Sequence, residues 1–136
     1  MWKALLWLYL VNATLLTIHE IDSAYWQEWK LFRLPGGASG FLLLHVPMVF
    51  VLFYGVVWIV DQSYAGMVLS LILALCGIFA FSIHMFFIRS GHPEFRSPVS
   101  VAILIATLVV SLVQLVAAGY PLFVLAAKEY LYYGPF

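Results

Sequence analysis

The chain has 136 residues, of which 65% are hydrophobic and only 9% are charged, and its formal net charge is zero. A soluble domain of this size needs charged residues at about a quarter of its positions. The composition therefore excludes a surface that faces mostly water, and it favours a lipid environment. The zero net charge gives no basis for nucleic-acid binding, so we expect no nucleic-acid partner.

Continuous apolar runs predict helices that cross a membrane, because the strands of a membrane barrel would instead show alternating hydrophobicity. Each span needs about 20 mostly apolar residues. Four runs meet this requirement, and in chain order they cover about 5–21, 41–60, 67–88 and 99–118.

The ends of the first and last spans carry polar and aromatic residues. The first helix is expected to continue as a polar, aromatic extension through Phe32, until Pro35–Gly37 end it. Pro121 is expected to interrupt the fourth helix. Residues 122–136 then form a tail rich in tyrosine, with one lysine and one glutamate, a composition typical of the membrane interface.

The connections between the spans are short, which favours antiparallel neighbours. The predicted fold class is all-α, an integral membrane antiparallel four-helix bundle with a C-terminal interfacial tail. Residues 1–136 are expected to form a single membrane domain. The lipid bilayer is the expected partner, and so small a bundle also suits a homo-oligomer or a place in a larger membrane complex.

The basic residues are unequally divided between the two ends of this bundle. The end where the first helix finishes, here called side A, carries Lys30, Arg33, Arg89 and Arg96. The opposite end carries Lys3 and Lys128. The positive-inside rule therefore predicts that side A is cytoplasmic and that both termini are outside.

Following the chain up and down, all four histidines fall on side A: His19, His45, His84 and His92. His45 and His84 each lie about one turn inside their helix ends, roughly 6 Å at the helical rise, and His19 lies at a comparable depth. Three helices thus offer one imidazole each at one level. Ionisable groups inside a membrane are by default functional-site candidates.

A carboxylate accompanies the first histidine. His19 and Asp22 are three residues apart, so they share one face of a helix. Imidazole and carboxylate together suit zinc, iron or manganese. We therefore predict a divalent metal site, and its candidate ligands are His19, Asp22, His45, His84 and, from the adjoining loop, His92.

Two further carboxylates on side A are candidates for catalysis. Partial burial raises a carboxyl pKa toward neutrality, so Glu20 or Glu94 is a candidate general acid or base. The alternative for the whole cluster is structural, because polar residues also concentrate at membrane interfaces. In that interpretation His45 bonds a neighbouring helix and Asp22 pairs with a side A arginine.

Two stretches, HEIDSAYWQEW and GHPEFRSP, make the chain resemble small uncharacterised four-helix bacterial membrane proteins. It also resembles the family named for an H-x-x-E-E motif near its first helix. His19 would match the motif histidine and Asp22 the first glutamate, whereas Ser23 departs from the second. The resemblance implies the inner membrane of a bacterium and adds support for a site on side A.

Three functions stay open at this point. The first is a metal-dependent membrane enzyme that acts on a lipid or another apolar substrate by hydrolysis, isomerisation or oxidation. The second is a haem-binding electron carrier, in which His45 and His84 clamp a haem between two helices. The third is a non-enzymatic accessory or scaffold subunit. We favour the metal site, without a choice of reaction.

Overall fold

The structure is a computed structural model that describes the backbone of residues 1–92 and 94–133 and the side chains as far as Lys128. The described chain is helical apart from its turns and loops. In order, the helices are α1 Trp2–Tyr25, α2 Glu28–Leu31, α3 Gly37–Val60, α4 Tyr64–Arg89 and α5 Pro98–Tyr133.

Four of these helices, α1, α3, α4 and the Pro98–Lys128 part of α5, are long and apolar enough to cross a membrane. Each contains one of the predicted spans, which confirms the all-α membrane bundle. Large apolar side chains cover the outside of the bundle, and Phe53, Phe79 and Phe123 are each more than half exposed. Such an exterior fits lipid and not water.

The first helix does not continue as predicted. It ends at Tyr25, and Gln27 has a φ of 57°, a left-handed conformation that a continuous right-handed helix does not contain. The chain turns there and then forms the single turn of α2. The expected extension through Phe32 is therefore wrong, because the prediction had no information about the backbone at Gln27.

The last helix is longer than predicted. It runs without a break through Pro121. A proline removes one N–H donor, and a membrane helix tolerates this loss because neighbouring groups can satisfy the freed carbonyl. The predicted tail, residues 122–136, therefore begins as a continuation of α5. Its place at the interface stays a prediction, and residues 134–136 and the side chains of Glu129, Tyr130, Tyr132 and Tyr133 lie outside the described part.

Helices α1 and α4 form the centre of the bundle. Helix α5 packs against both of them on one side, and α3 packs against both on the other. Among the described residues, no Cα atom of α3 lies within 8 Å of a Cα atom of α5. The turn between α3 and α4 is fixed by Ser63, whose Oγ accepts a hydrogen bond from the Gly66 N–H at 3.1 Å and donates to the Trp58 carbonyl at 2.9 Å.

A polar clamp of four buried side chains, Asn12, Ser70, Ser111 and Gln114, joins α1, α4 and α5. The Asn12 amide donates to Gln114 Oε1 at 2.8 Å and to Ser111 Oγ at 3.0 Å. The Gln114 amide donates to Ser70 Oγ at 2.8 Å and to the backbone carbonyl of Ser70 at 3.0 Å. The polar groups of the clamp therefore hydrogen-bond to one another, and these bonds hold the three helices together.

Candidate metal site

The turn after α1 brings an unpredicted carboxylate to the histidines. In a straight continuation of α1, Glu28 would follow His19 by nine residues and point to the opposite face of the helix. The left-handed Gln27 redirects the chain instead, so that Glu28 begins α2 and is only 7% exposed. Its carboxylate thereby faces the side A end of α4.

His19, Glu28 and His84, which we call the buried triad, meet at this point. Each offers one ligand atom, and these atoms all lie within 4.8 Å of one another. His19 and His84 are 3% and 1% exposed, and their rings meet edge to face with centroids 4.4 Å apart. Two imidazoles and one carboxylate at this spacing form a ligand set that can hold a metal ion.

The orientation of His84 follows from one hydrogen bond. Its Nδ1 lies 2.7 Å from the carbonyl oxygen of Ala80. Since a carbonyl only accepts, Nδ1 carries the proton and donates. Metal-binding histidines are commonly oriented by such a bond from their other nitrogen. Phe95, which is fully buried, packs edge to face against the ring with centroids 4.3 Å apart.

The other nitrogen of His84 faces Glu28. Nε2 lies 3.3 Å from Oε1 of Glu28, and it is buried without a hydrogen-bond partner among the described residues. With the proton on Nδ1, a lone pair and a carboxylate oxygen face each other. Two acceptors in contact require a positive charge between them, either a second proton on the imidazole or a cation.

The charge state of Glu28 follows from its neighbours. Burial alone would raise its pKa, but the His84, Ser23 and His19 side chains around it favour the charged form and hold the pKa of the carboxyl below its ordinary value. Glu28 is therefore a carboxylate at neutral pH. A buried negative charge of this kind is stable only when a positive partner accompanies it.

A second pair lies next to the triad. His45 Nδ1 donates to the carbonyl of Phe41 at 2.6 Å, and its Nε2 lies 2.8 Å from Oε2 of Glu20. Both ring nitrogens of His45 are thus engaged. The pair joins α1 to α3 at the level of the triad.

A cavity of about 800 Å³ between α1, α3 and α4 adjoins both groups. All of the ionisable side chains along it belong to the triad or to the second pair, apart from Tyr9 and Cys76. The remaining lining is predominantly apolar, with residues such as Leu16, Leu52 and Leu73. The triad therefore meets a space suited to an apolar molecule.

The predicted site residues separate into groups. His19 and His84 come together, whereas His45 pairs with Glu20. His92 lies 3.5 Å from Glu94 in the loop after α4, and both are partly exposed. Asp22 is half-buried and lies outside the triad.

Glu28 is the triad residue that the sequence-based prediction lacked. One signal was available, namely its place among the side A carboxylates in a polar segment between two apolar spans.

Comparison with known proteins places the chain in a family without assigning it an activity. Residues 5–120 match the family of unknown function DUF6713, and because this match covers most of the chain, the protein belongs to that family. Neither the curated proteins nor the solved structures give a match. The resemblance to the family named for an H-x-x-E-E motif stays a prediction.

Proposed function

We propose that this member of a family without an assigned function is a metal-binding membrane protein, and that a divalent ion is bound by His19, Glu28 and His84. One observation carries the proposal: the buried Nε2 of His84, unpartnered in the described residues, faces the Glu28 carboxylate at 3.3 Å. A cation between them would satisfy both acceptors. His19 would supply the third ligand from within the same 4.8 Å group.

The ligand set bears on the metal and on its role. Two histidines and one carboxylate suit zinc, iron or manganese. Structural zinc sites use four protein ligands, whereas catalytic ones use three and leave a position for water or substrate. The triad offers three, which supports a catalytic site. Bound there, a metal would polarise a substrate oxygen or activate a water molecule.

The adjoining cavity bears on the kind of substrate. It lies between membrane-spanning helices, and most of its lining is apolar. A substrate dissolved in the bilayer would reach the triad through such a cavity, so we propose an enzyme that acts on a lipid or another apolar molecule. Glu20, hydrogen-bonded to His45 on the same cavity, and Glu94 are the candidate general acids or bases.

The metal ion is better supported than a haem. An axial haem ligand needs a free ring nitrogen. In His45 one ring nitrogen donates to a backbone carbonyl and the other meets Glu20. A haem held by His45 and His84 would have to break one of these bonds, whereas a metal at the triad leaves both intact.

The proposal is tested by metal content. Protein purified in detergent without chelator should contain about one zinc, iron or manganese ion per chain. Glu28→Gln, which keeps the size of the side chain and removes its charge, should lose most of the metal, and so should His84→Ala. Mass spectrometry of the metal, with circular dichroism to confirm retained helix, measures both.

Two control variants separate the triad from the wider predicted ligand set. Asp22→Asn and His45→Ala should keep the metal, because neither residue belongs to the triad. Loss of metal in these variants but not in Glu28→Gln would contradict the triad. Absence of metal from the folded wild-type protein would leave His84 and Glu28 as a structural ion pair.

A further inference from the structure

The residues that line the cavity beside the triad extend along the membrane-spanning helices. His19 and Tyr9 both line it from α1, and the helical rise separates them by about 15 Å. The far end is well fixed, because Tyr9 is buried and its hydroxyl donates to the Leu52 carbonyl at 3.1 Å. The polar groups thus lie at one end, and an apolar space extends from them toward the middle of the bundle.

This cavity opens sideways between α3 and α4. Several of its lining residues are also exposed on the outer surface: Leu44, Met48 and Val51 on α3, and Ile72, Leu75 and Phe79 on α4. Both helices are membrane spans. The opening therefore faces the hydrocarbon of the bilayer, where water is scarce and acyl chains are abundant.

We infer that the cavity binds one long hydrocarbon chain whose oxygen-bearing head group lies at the triad. The chain would lie along the apolar lining toward Tyr9. The cavity volume of about 800 Å³ is within the range of pockets that enclose a single small ligand, which fits one hydrocarbon chain. A single-chain lipid such as a fatty acid has this shape.

The polar end defines the head group. His84 Nε2 and the Glu28 carboxylate are buried there and face each other at 3.3 Å. A head group that carries an oxygen would complete the coordination of a metal bound between them. This part of the inference rests on the proposed function, whereas the binding of the chain rests on the cavity alone.

The chain carries its own probe of the cavity. Cys76 is the sole cysteine of the sequence, it lines the cavity, and it is exposed. An apolar maleimide should therefore modify Cys76 and no other residue. The protein is held in a steroid-based detergent, which has no alkyl chain of its own, and the rate of modification is measured with palmitate or with acetate.

Palmitate at ten times its dissociation constant should slow the modification of Cys76 by about tenfold, since only the unoccupied fraction reacts. Acetate, which has the same head group and no chain, should not slow it. Equal rates with palmitate and acetate would overturn the inference.

A matched pair of variants tests the location. Ile72 and Leu112 are both 48% exposed on membrane helices, but only Ile72 lines the cavity. Ile72→Trp should fill the chain site and abolish the protection by palmitate, whereas Leu112→Trp should keep it. Undiminished protection in Ile72→Trp would show that the chain binds elsewhere and would overturn the inference.

Metal content measured on the same samples separates this inference from the proposed function. Protein that holds its metal but shows no protection by palmitate would overturn the chain site alone. Protection without any bound metal would overturn the proposed function, and with it the placement of the head group, while the chain site would stand.

Discussion

The tautomer of His84 determines what the triad can bind. Its hydrogen bond to the Ala80 carbonyl fixes the proton on Nδ1 and leaves Nε2 to face Glu28. A histidine inside a helix can make this bond to the carbonyl four residues before it, as His45 also does to Phe41. His45 also meets a carboxylate, that of Glu20, through its other nitrogen. His84 differs because it is buried and its Nε2 has no hydrogen-bond partner among the described residues, although it faces Glu28 at 3.3 Å. That contact requires a positive charge between the two groups.

Proton release distinguishes the two positive charges that can lie between His84 and Glu28, namely a second proton on the imidazole and a metal ion. If an additional proton on His84 balances Glu28 in the metal-free protein, then a metal ion must displace it, and binding should release protons. We expect metal binding to release protons and to weaken as the pH falls. Calorimetric titration in buffers of different ionisation enthalpy measures the number.

The control for this experiment is Glu28→Gln, which removes the negative charge that favours the extra proton. Any weak binding that remains should release fewer protons than in the wild type. A wild-type chain that binds metal tightly at neutral pH and releases no proton would contradict a protonated His84 in the metal-free state.

Carboxylate length is a second test at this scale. Glu28→Asp keeps the charge but withdraws the oxygen by one methylene group. We expect metal affinity to fall by about 10- to 100-fold, the usual cost of disturbing the surroundings of a metal ligand, and less than in Glu28→Gln. Competition with a chromogenic chelator measures it, and an affinity equal to wild type would argue against direct ligation by Glu28.

At the scale of elements, close contact between α4 and α5 depends on Gly77. A methyl group there would collide with Ser111 Oγ and crowd Thr107 on α5. Glycine therefore brings the two backbones together and allows Ser111 to reach Asn12 in the polar clamp. The two features support one another, since the clamp needs the short distance.

Gly77→Ala should destabilise the bundle by about 1–3 kcal/mol through overpacking. Gly119→Ala is the matched control, because its added methyl would meet only Leu71, at an ordinary contact distance of 3.7 Å. That change should be neutral or stabilise by up to about 1 kcal/mol through helix propensity. Thermal unfolding in detergent compares them, and equal effects would contradict the packing described for Gly77.

The polar clamp gives a separate prediction. Gln114→Leu removes the acceptor of the Asn12 amide and the donor to Ser70, so it leaves buried polar groups without partners. We expect a loss of about 1–2 kcal/mol, the upper part of the range for hydrogen bonds between membrane helices. Val113→Ala, at an exposed neighbour on α5, is the control in the same unfolding experiment and should have a small effect.

The sequence predicts the spans and the depth of the histidines, but not every contact between them. Each span is one continuous apolar run, and the helical rise places His19 and His84 at one level. The sequence does not predict the rotation of each helix about its own axis, and it is this rotation that makes His45 face Glu20. The position of Glu28 depends on the positive φ of Gln27, and no periodic pattern encodes that value.

At the scale of the whole molecule, the orientation in the membrane stays a prediction from charge. Arg33 follows α2, Arg89 ends α4, and Arg96 precedes α5, so the three arginines of the chain lie at the end of the bundle that holds the triad. Arg96 also donates to the Ile88 carbonyl at 2.9 Å, which ties the α4–α5 loop to the end of α4.

A reporter at the C-terminus tests this orientation. With side A in the cytoplasm and an even number of crossings, the C-terminus is outside. A C-terminal green fluorescent protein should then remain dark in a bacterium, whereas alkaline phosphatase at the same position should be active. The same reporters at residue 92, in the loop after α4, should give the reverse result, and bright fluorescence from the C-terminal fusion would invert the predicted orientation.

The order of the elements along the chain has a consequence for biosynthesis. His19, Glu28 and His84 all precede the end of α4 at Arg89, whereas α5 begins only at Pro98. Because a nascent chain emerges from the ribosome with its N-terminus first, all three side chains exist before any of α5 has been made. Insertion of α5 then supplies Ser111 and Gln114 to the waiting Asn12 and Ser70. During translation, the three candidate metal ligands are therefore synthesised before α5 packs against the other helices.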